Sequence, residues 1–180
     1  MKTYYFIFSK TDLLLQRTPD GGHTIPCCNN VPVKIHPWTH IMNVTPEEDG
    51  TEVKTFKIDS PDHLQITDEV LLQAGYDFTG LRESFYHLTE PLYLKAGKCQ
   101  ELLYWDQNTR FCGVCGSPMR MQTDISKVCT ACGKEVWPQL STAVIVLIYK
   151  GDEVLLVHAR NFKSNFYGLV AGFVETGETL

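Results

Sequence analysis

Two cysteine pairs with matching spacing are the residues of this sequence best suited to chemistry. They are Cys112 with Cys115 and Cys129 with Cys132; a glycine follows each pair, and thirteen residues separate Cys115 from Cys129. A Cys-x-x-Cys pair can place two thiolates on one metal ion, and two such pairs complete a tetrahedral shell of four thiolates. Glycine after each pair suits a tight turn with positive φ. A redox pair and two structural disulfides are the alternatives, but two matched pairs favour one closed, structural zinc site.

Length and composition describe an ordinary globular protein. The chain has 180 residues, a net charge of −5 and 43% hydrophobic residues. The acidic balance argues against a broad electrostatic grip on nucleic acid, although it leaves room for one nucleotide in a pocket. The apolar runs at 4–8 and 143–149 are too short for a signal peptide core or a membrane span. The sequence therefore predicts a cytoplasmic protein with no membrane partner and free thiols at Cys27, Cys28 and Cys99.

The cysteine pairs lie between two stretches with alternating strand and helix patterns. Strands are predicted at 4–8, 13–16, 51–58, 142–149 and 154–158, short helices at 67–74 and 79–87, and a long helix from Glu90 to about Gln107. Thr89 is a candidate cap for the long helix, and Pro91 suits its first turn. Its apolar face is predicted to contain Leu92, Ala96, Cys99, Leu103 and Leu102.

The histidines carry no recognisable ligand spacing. His36, His40, His63 and His87 are scattered along the sequence, so satisfied or exposed side chains are predicted rather than catalytic ones. The elements together predict an α+β fold.

A family resemblance enters at the end of the chain. Gly172 and Glu178 match the Gly-x5-Glu opening of the Nudix box, within the string Leu169-Val-Ala-Gly-Phe-Val-Glu-Thr-Gly-Glu178. The segment Phe111-Cys-Gly-Val-Cys-Gly116, which follows a helix containing Trp105, and the tripeptide Trp137-Pro-Gln139 agree with it. This combination resembles the NADH pyrophosphatase family, a zinc-containing branch of the Nudix hydrolases.

The resemblance implies a reaction and a domain order. The reaction is hydrolysis of the pyrophosphate of NAD(H) to nicotinamide mononucleotide and AMP, and in some relatives removal of NAD caps from RNA. Mg²⁺ or Mn²⁺ would neutralise the pyrophosphate oxygens and activate a water. The implied domains are a mixed α/β domain at 1–108, a zinc ribbon at 109–139 and the first strands of an incomplete Nudix α/β/α sandwich at 140–180.

The sequence ends two residues after Glu178, before the metal-binding glutamates of a full Nudix box. Truncation of a longer enzyme is favoured over a short gene product, and the 180-residue chain is expected to be inactive although its parent is active.

The resemblance also implies roles for individual residues. Asp124 and Trp137 match substrate contacts, with Trp137 at a position that is normally tyrosine, and Arg82 is a third candidate. Their structural alternatives are a turn acid, a packing residue and a surface ion pair, respectively. The backbone carbonyl of Ala171 would bind the divalent cation, whereas Glu178 would support the loop and helix rather than the metal.

Two other functions remain open. A non-enzymatic zinc-ribbon module that binds nucleic acid or protein gains some weight because the sequence lacks the metal-binding glutamates. Binding of nucleic acid would call for more basic residues than the four near the cysteines, which are Arg110, Arg120, Lys127 and Lys134. A Nudix enzyme for another nucleotide is disfavoured because most Nudix enzymes have no zinc ribbon. The resemblance also implies a homodimer.

Overall fold

The computed structural model describes residues 2–160 and 165–178. They form two compact units, Met1–Pro138 and Gln139–Leu180. The first unit contains β1 (Thr3–Ser9), β2 (Asp12–Arg17), β3 (His23–Thr24), β4 (Cys27–Cys28), β5 (Met42–Val44), β6 (Glu52–Ile58), α1 (Glu69–Ala74), β7 (Tyr76–Gly80), α2 (Glu90–Asn108), β8 (Met119–Thr123), β9 (Ser126–Cys129) and β10 (Glu135–Val136). The second contains β11 (Ala143–Val146), β12 (Tyr149–Lys150), β13 (Glu153–Val154) and β14 (Val170–Phe173).

A seven-stranded sheet organises the first unit. Its strand order is β3-β2-β1-β6-β5, with β4 also paired to β1 and β7 to β2. The central strand β1 runs parallel to β6 from Thr3↔Glu52 to Ser9↔Ile58 and antiparallel to β2 and β4. Its sequence, Thr-Tyr-Tyr-Phe-Ile-Phe-Ser, is rich in the aromatic and β-branched residues that suit a strand buried on both faces.

Alternation along β1 divides the core into two clusters. Phe6 and Phe8 point to the face that α2 covers, while Tyr5 and Ile7 point to the face that α1 covers. The α2 side of the core contains Leu13, Leu15, Ile25, Ala96, Cys99, Leu102, Leu103 and Trp105. The other side contains Leu14, Val33, Phe56 and Leu71. The sheet is therefore the middle layer between a long helix and a short one.

The structure confirms most of the predicted elements of this unit and corrects one. The strands at 4–8, 13–16 and 51–58 and the long helix with its buried face are confirmed. The predicted helix at 79–87 is wrong: Tyr76–Gly80 forms β7, and a 3-10 turn follows at Glu83–Tyr86. Pairing of β7 with β2, from Asp12↔Gly80 to Gln16↔Tyr76, overrides the local helical pattern.

The start of α2 also differs from expectation in one detail. Pro91 lies in the first turn as predicted, but the Thr89 side chain makes no capping hydrogen bond. Pro91 stabilises the first turn, because its fixed φ suits a helix start and because no N–H partner is needed at that position.

A three-stranded sheet, β8-β9-β10, completes the first unit. The antiparallel pairing of β8 with β9 is interrupted between Met121 and Thr123. An isolated bridge between Phe111 and Pro118 closes the loop that carries the first cysteine pair. This small sheet carries Cys129 and the turn that contains Asp124, and the other three cysteines lie in the loops beside it.

The second unit consists of two small pairs of strands. β11 pairs with β14, and β12 pairs with β13 across a turn where Gly151 has φ 61°. The predicted strand at 142–149 is thus divided into β11 and β12, and the strand predicted at 154–158 is largely irregular. In the range 139–160 and 165–178, every side chain is exposed or half-buried. This unit has no buried core of its own among the residues that the structure describes.

No helix in the described part of the chain combines the length and apolar character needed to cross a bilayer.

Candidate functional site

Two tight turns bring the four cysteines together. Gly116 and Gly133 have φ of 73° and 72°, which a side chain would make costly. Each glycine N–H donates back to the first cysteine of its pair, at 2.8 Å to the Cys112 carbonyl and 3.3 Å to the Cys129 carbonyl. The local sequence thus folds each Cys-x-x-Cys-Gly segment so that both thiols face the same side.

The sulfur positions fit one tetrahedral metal ion. All four Sγ atoms lie within 4.8 Å of one another, with 3.7 Å between Cys112 and Cys132 and 3.4 Å between Cys115 and Cys129. Sulfurs bound tetrahedrally to zinc at about 2.3 Å lie about 3.8 Å apart. Within residues 2–160 and 165–178, no other three His, Cys, Asp or Glu side chains come close enough to hold an ion. The geometry supports a structural zinc with no open position.

Backbone N–H groups stabilise thiolates at this cluster. The Val114 N–H lies 3.4 Å from the Cys112 Sγ, and the Ala131 and Cys132 N–H groups lie 3.4 Å from the Cys129 Sγ. Hydrogen bonds from the Cys115 and Val114 backbone lower the pKa of the Cys112 thiol. Those from Ser117 lower the pKa of Cys115 to about 6.

The pKa of one thiol of the cluster is raised instead of lowered. The Lys134 N–H favours the Cys132 thiolate, but the neighbouring sulfurs of Cys129 and Cys115 outweigh it and raise the pKa of Cys132 to about 12. Four thiolates this close repel one another, so they need a cation in their centre to ionise together. The electrostatics therefore agree with the geometry in indicating a metal centre.

The other three cysteines take no part in this site. Cys27 is half-buried, Cys28 and Cys99 are buried, and all three are free thiols, as the sequence predicts. Burial raises the pKa of both Cys28 and Cys99 to about 12. A thiol held in its protonated form is a poor nucleophile, so these residues serve packing.

Lys127 joins the cysteine-bearing sheet to the long helix. Its ammonium contacts the Asp106 carboxylate at 2.7 Å and donates to the carbonyls of Asp106 at 2.7 Å and Thr109 at 3.2 Å. It also lies 5.3 Å from the ring centroid of Trp105. Only 6% of the side chain is exposed. The lysine thus completes the carbonyl end of α2 and positions β9 against it.

The proposed substrate residues of the first unit lie in separate places. Asp124 is exposed in the turn between β8 and β9, where its Oδ1 is 3.5 Å from the Asn43 amide nitrogen. Trp137 follows β10 and is half exposed, and Arg82 directly precedes the 3-10 turn after β7. No hydrogen bond, ion pair or ring contact among the described residues joins these three. Asp124 lines a cavity of about 460 Å³ together with His40, Met42 and Met121.

The Nudix-box residues lie in the second unit. Ala171 and Gly172 belong to β14, opposite Ile145 and Val144 of β11. The Glu178 carboxylate accepts a hydrogen bond from the Glu175 N–H at 2.8 Å and so closes the turn at Gly177. In the described range these residues do not form a multi-carboxylate cluster that would hold Mg²⁺ or Mn²⁺.

The sequence reasoning missed one gathering of polar residues. His36, His40 and His63, predicted to be scattered, line one cavity together with Lys57 and Trp38. Their sequence spacing gives no signal because they approach one another only through the tertiary fold.

Comparison with known proteins finds relatives that are similar to this chain in sequence. The chain is 34% identical over 133 residues to the NAD-capped RNA hydrolase NudC of Stutzerimonas stutzeri, covering 73% of this chain and 45% of that protein. It is 38% identical over 112 residues to the protein of the same name from Deinococcus radiodurans, and the match covers 59% of this chain and 40% of that protein. It is 36% identical over 115 residues to the protein of that name from Pseudomonas aeruginosa LESB58, and the match covers 63% of this chain and 41% of that protein. The chain spans less than half the length of these relatives.

Two family models match adjacent parts of the first unit. Residues 2–105 match the NADH pyrophosphatase-like rudimentary NUDIX domain, and residues 107–136 match the NADH pyrophosphatase zinc ribbon domain. The first match covers the seven-stranded sheet and most of α2, and the second contains all four cysteines. The α+β class and the resemblance drawn from the sequence are both confirmed. The chain therefore belongs to the NADH pyrophosphatase family of zinc-ribbon Nudix proteins.

Proposed function

We propose that this chain belongs to an enzyme that hydrolyses the pyrophosphate bond of NAD(H), giving nicotinamide mononucleotide and AMP, and that removes NAD caps from RNA. The observation that carries the proposal is the pair of adjacent family matches, at 2–105 and 107–136, with the four-cysteine geometry inside the second. The names of the relatives, NAD-capped RNA hydrolase, support NAD-related substrates. A non-enzymatic zinc-ribbon module and a different nucleotide substrate are not favoured by these relatives.

Substrate contacts are proposed at Arg82, Asp124 and Trp137. The Asp124 carboxylate is exposed at the rim of its cavity, where it can accept hydrogen bonds from an exocyclic amine or a ribose hydroxyl. Trp137 exposes about half of its surface, 52%, and offers a face on which a base can stack. Arg82 is exposed and can meet a phosphate.

Mg²⁺ or Mn²⁺ is the proposed cofactor of the hydrolysis, since a divalent cation neutralises pyrophosphate oxygens and activates water. The Ala171 carbonyl is proposed as one ligand. The described residues supply no set of carboxylates beside it. We therefore expect the polypeptide of 180 residues to show no significant NADH hydrolysis by itself.

Two further properties belong to the proposal. A homodimer is proposed from the family, and a reducing, cytoplasmic compartment is proposed because zinc-binding thiols and three further free cysteines persist there.

The test compares the 180-residue polypeptide with a chimera. In the chimera, Glu178 is followed by the part of the Deinococcus radiodurans relative that lies beyond the region matched here. Both are assayed with NADH and with NAD-capped RNA in Mg²⁺ or Mn²⁺, and the intact relative is the positive control. Turnover by the chimera alone is the expected result. Comparable turnover by the 180-residue polypeptide would show that the acids already present suffice.

Substitution of Asp124 separates binding from folding in the same chimera. Asp124→Ala is expected to lower kcat/KM for NADH about tenfold while the zinc content stays unchanged. An unchanged kcat/KM would remove Asp124 from the substrate site.

A further inference from the structure

A second cavity of the first unit has the chemistry of a ligand site. It measures about 530 Å³ and lies between the segment 34–40, the end of β6 with the residues after it, and the last turns of α2. This volume is in the range of pockets that hold small ligands. None of the four zinc-site cysteines and none of the proposed substrate contacts lines it. The cavity therefore belongs to no site described above.

An aromatic platform forms one side of the cavity. The rings of His36 and Trp38 are stacked, with centroids 4.5 Å apart and an angle of 4° between their planes. Trp38 is nevertheless 77% exposed, which is unusual for a tryptophan, a residue that is highly buried on average. An ordered indole that keeps most of its surface in solvent is a surface on which a nucleobase stacks.

A lysine without a carboxylate partner faces the same space. Lys57 is half-buried at the end of β6, and its Nζ donates to the Gln107 side-chain oxygen at 2.8 Å. In the ranges 2–160 and 165–178, no carboxylate lies within ion-pair distance of this ammonium. Burial lowers the pKa of Lys57, so the charged form would gain from an anion in the cavity. Lys34 adds a second, exposed cation to the lining.

The two acids of the cavity are already engaged. Asp106 contacts Lys127 at 2.7 Å and His40 at 3.2 Å. Asp59 lies 3.6 Å from His36 and has 89% of its side chain in solvent, where water screens its charge. The electrostatic balance inside the cavity thus favours an anion close to Lys57.

We propose that this cavity binds a nucleoside 5′-phosphate unit, with the base stacked on Trp38 and the phosphate held by Lys57 and Lys34. The unit comes either from a free mononucleotide or from the chain of a single-stranded RNA. His40 also lines the neighbouring cavity that contains Asp124, so the two cavities share a wall. The proposal rests on the first unit alone and is independent of the hydrolytic activity proposed above.

Calorimetric titration of the zinc-loaded 180-residue chain tests the proposal. The probes are AMP, ribose 5-phosphate and a 5′-phosphorylated tetra-adenylate RNA. Trp38→Ala is expected to weaken AMP binding about tenfold, because base stacking is lost, and to leave ribose 5-phosphate unaffected. Lys57→Gln is expected to weaken both ligands several-fold, since both carry the phosphate.

Matched controls lie on two of the elements that border the cavity, α2 and β6. Tyr104→Ala removes another exposed aromatic residue, on α2, and Lys54→Gln removes a lysine of β6 that pairs with Glu52. Neither residue lines the cavity, so neither change should alter AMP affinity. Circular dichroism and zinc content establish that each variant keeps the fold.

The outcomes separate this cavity from the proposed substrate site. Unchanged AMP affinity in both Trp38→Ala and Lys57→Gln overturns the proposal, as does binding that is lost in Asp124→Ala but retained in Trp38→Ala. Tighter binding of the RNA than of AMP, with both sensitive to Trp38, supports the proposal and identifies an RNA chain as the source. Equal affinities, again sensitive to Trp38, support it and identify the free nucleotide.

Discussion

At the scale of single residues, a few buried charges and sulfurs determine how the first unit holds together. Lys127 is the clearest case, because a nearly inaccessible ammonium contacts one carboxylate, two carbonyls and the Trp105 ring at once. Burial alone would raise the pKa of Asp106, but its hydrogen bonds from Lys127 and His40 lower that pKa overall. The pair is therefore kept charged by its contacts and depends on both partners.

Replacing Lys127 should destabilise the protein markedly. Lys127→Met is expected to lower the free energy of unfolding by about 3 kcal/mol, because it leaves the Asp106 carboxylate short of its main partner. Urea denaturation of the zinc-loaded protein measures the loss. Lys134→Met, at an exposed lysine directly before β10, is the control, and we expect it to change stability by less than about 0.5 kcal/mol. Equal effects of the two changes would show that the buried contacts contribute nothing.

The cysteine cluster carries the second residue-scale prediction. Cys112→Ser should lose its zinc, because a hydroxyl replaces one of four thiolates, and the β8–β9 pairing should then exchange its amide hydrogens rapidly. Elemental analysis and hydrogen exchange measure the two effects. Cys27→Ser, at a half-buried thiol outside the cluster, should keep about one zinc per chain. Full zinc content in Cys112→Ser would contradict the four-thiolate site.

At the scale of elements, cross-strand ion pairs hold the edge of the main sheet. Asp77 of β7 contacts Arg17 of β2 through two hydrogen bonds of 2.6 Å, and His23 of β3 at 3.1 Å. The Arg17 guanidinium is the main reason that the pKa of Asp77 falls to about 2. Three strands thus meet on one carboxylate.

This network predicts a particular pH dependence of stability. The folded pKa of Asp77 lies below the unfolded value near 4, so its contribution is present above about pH 4 and is lost as the pH falls towards 2. Asp77→Asn should therefore flatten the decline of the urea midpoint between about pH 4 and pH 2, compared with the parent chain. The effect is modest because the side chain is 36% exposed. Parallel curves for the two proteins would rule out the contribution.

Elements with a local signal could be predicted from the sequence, and those decided by distant pairing could not. The cysteine spacing and the apolar face of α2 are local patterns, and the structure confirms the cysteine cluster and the helix. The 79–87 segment has a helical pattern, but β2, some sixty residues earlier, draws Tyr76–Gly80 into the sheet. The cavity around Trp38 and Lys57 could not be predicted from the sequence either, because its walls come from three segments far apart in the chain.

At the scale of the whole molecule, the two units differ in how they are stabilised. The first contains two clusters of buried side chains around β1. The second exposes large apolar residues such as Ile145, Tyr149 and Phe173, and two-stranded pairs without a buried face are marginal in water. Stability in this chain is therefore concentrated in the first unit.

Hydrogen exchange should resolve this difference within one polypeptide. In the 180-residue chain, amides of β11 and β14 are expected to exchange about a hundredfold faster than those of β1. Light scattering at rising concentration should show association, since the apolar strands of the second unit can pair with another chain. Slow exchange at 143–146 in a strictly monomeric sample would mean that these strands are stable by themselves.

The parallel pairing of β1 with β6 has a consequence for synthesis. Strand β1 leaves the ribosome well before its partner β6, which follows 49 residues later, and the helix that covers Phe6 and Phe8 ends only at Asn108. At about 5–20 residues per second, β1 waits roughly 5–20 s before its core can close. During that interval β1 can pair with β2, which follows it directly, but Phe6 and Phe8 lack the helix that buries them. Folding of the first unit on the ribosome thus cannot be completed strand by strand; it must wait until α2 has emerged.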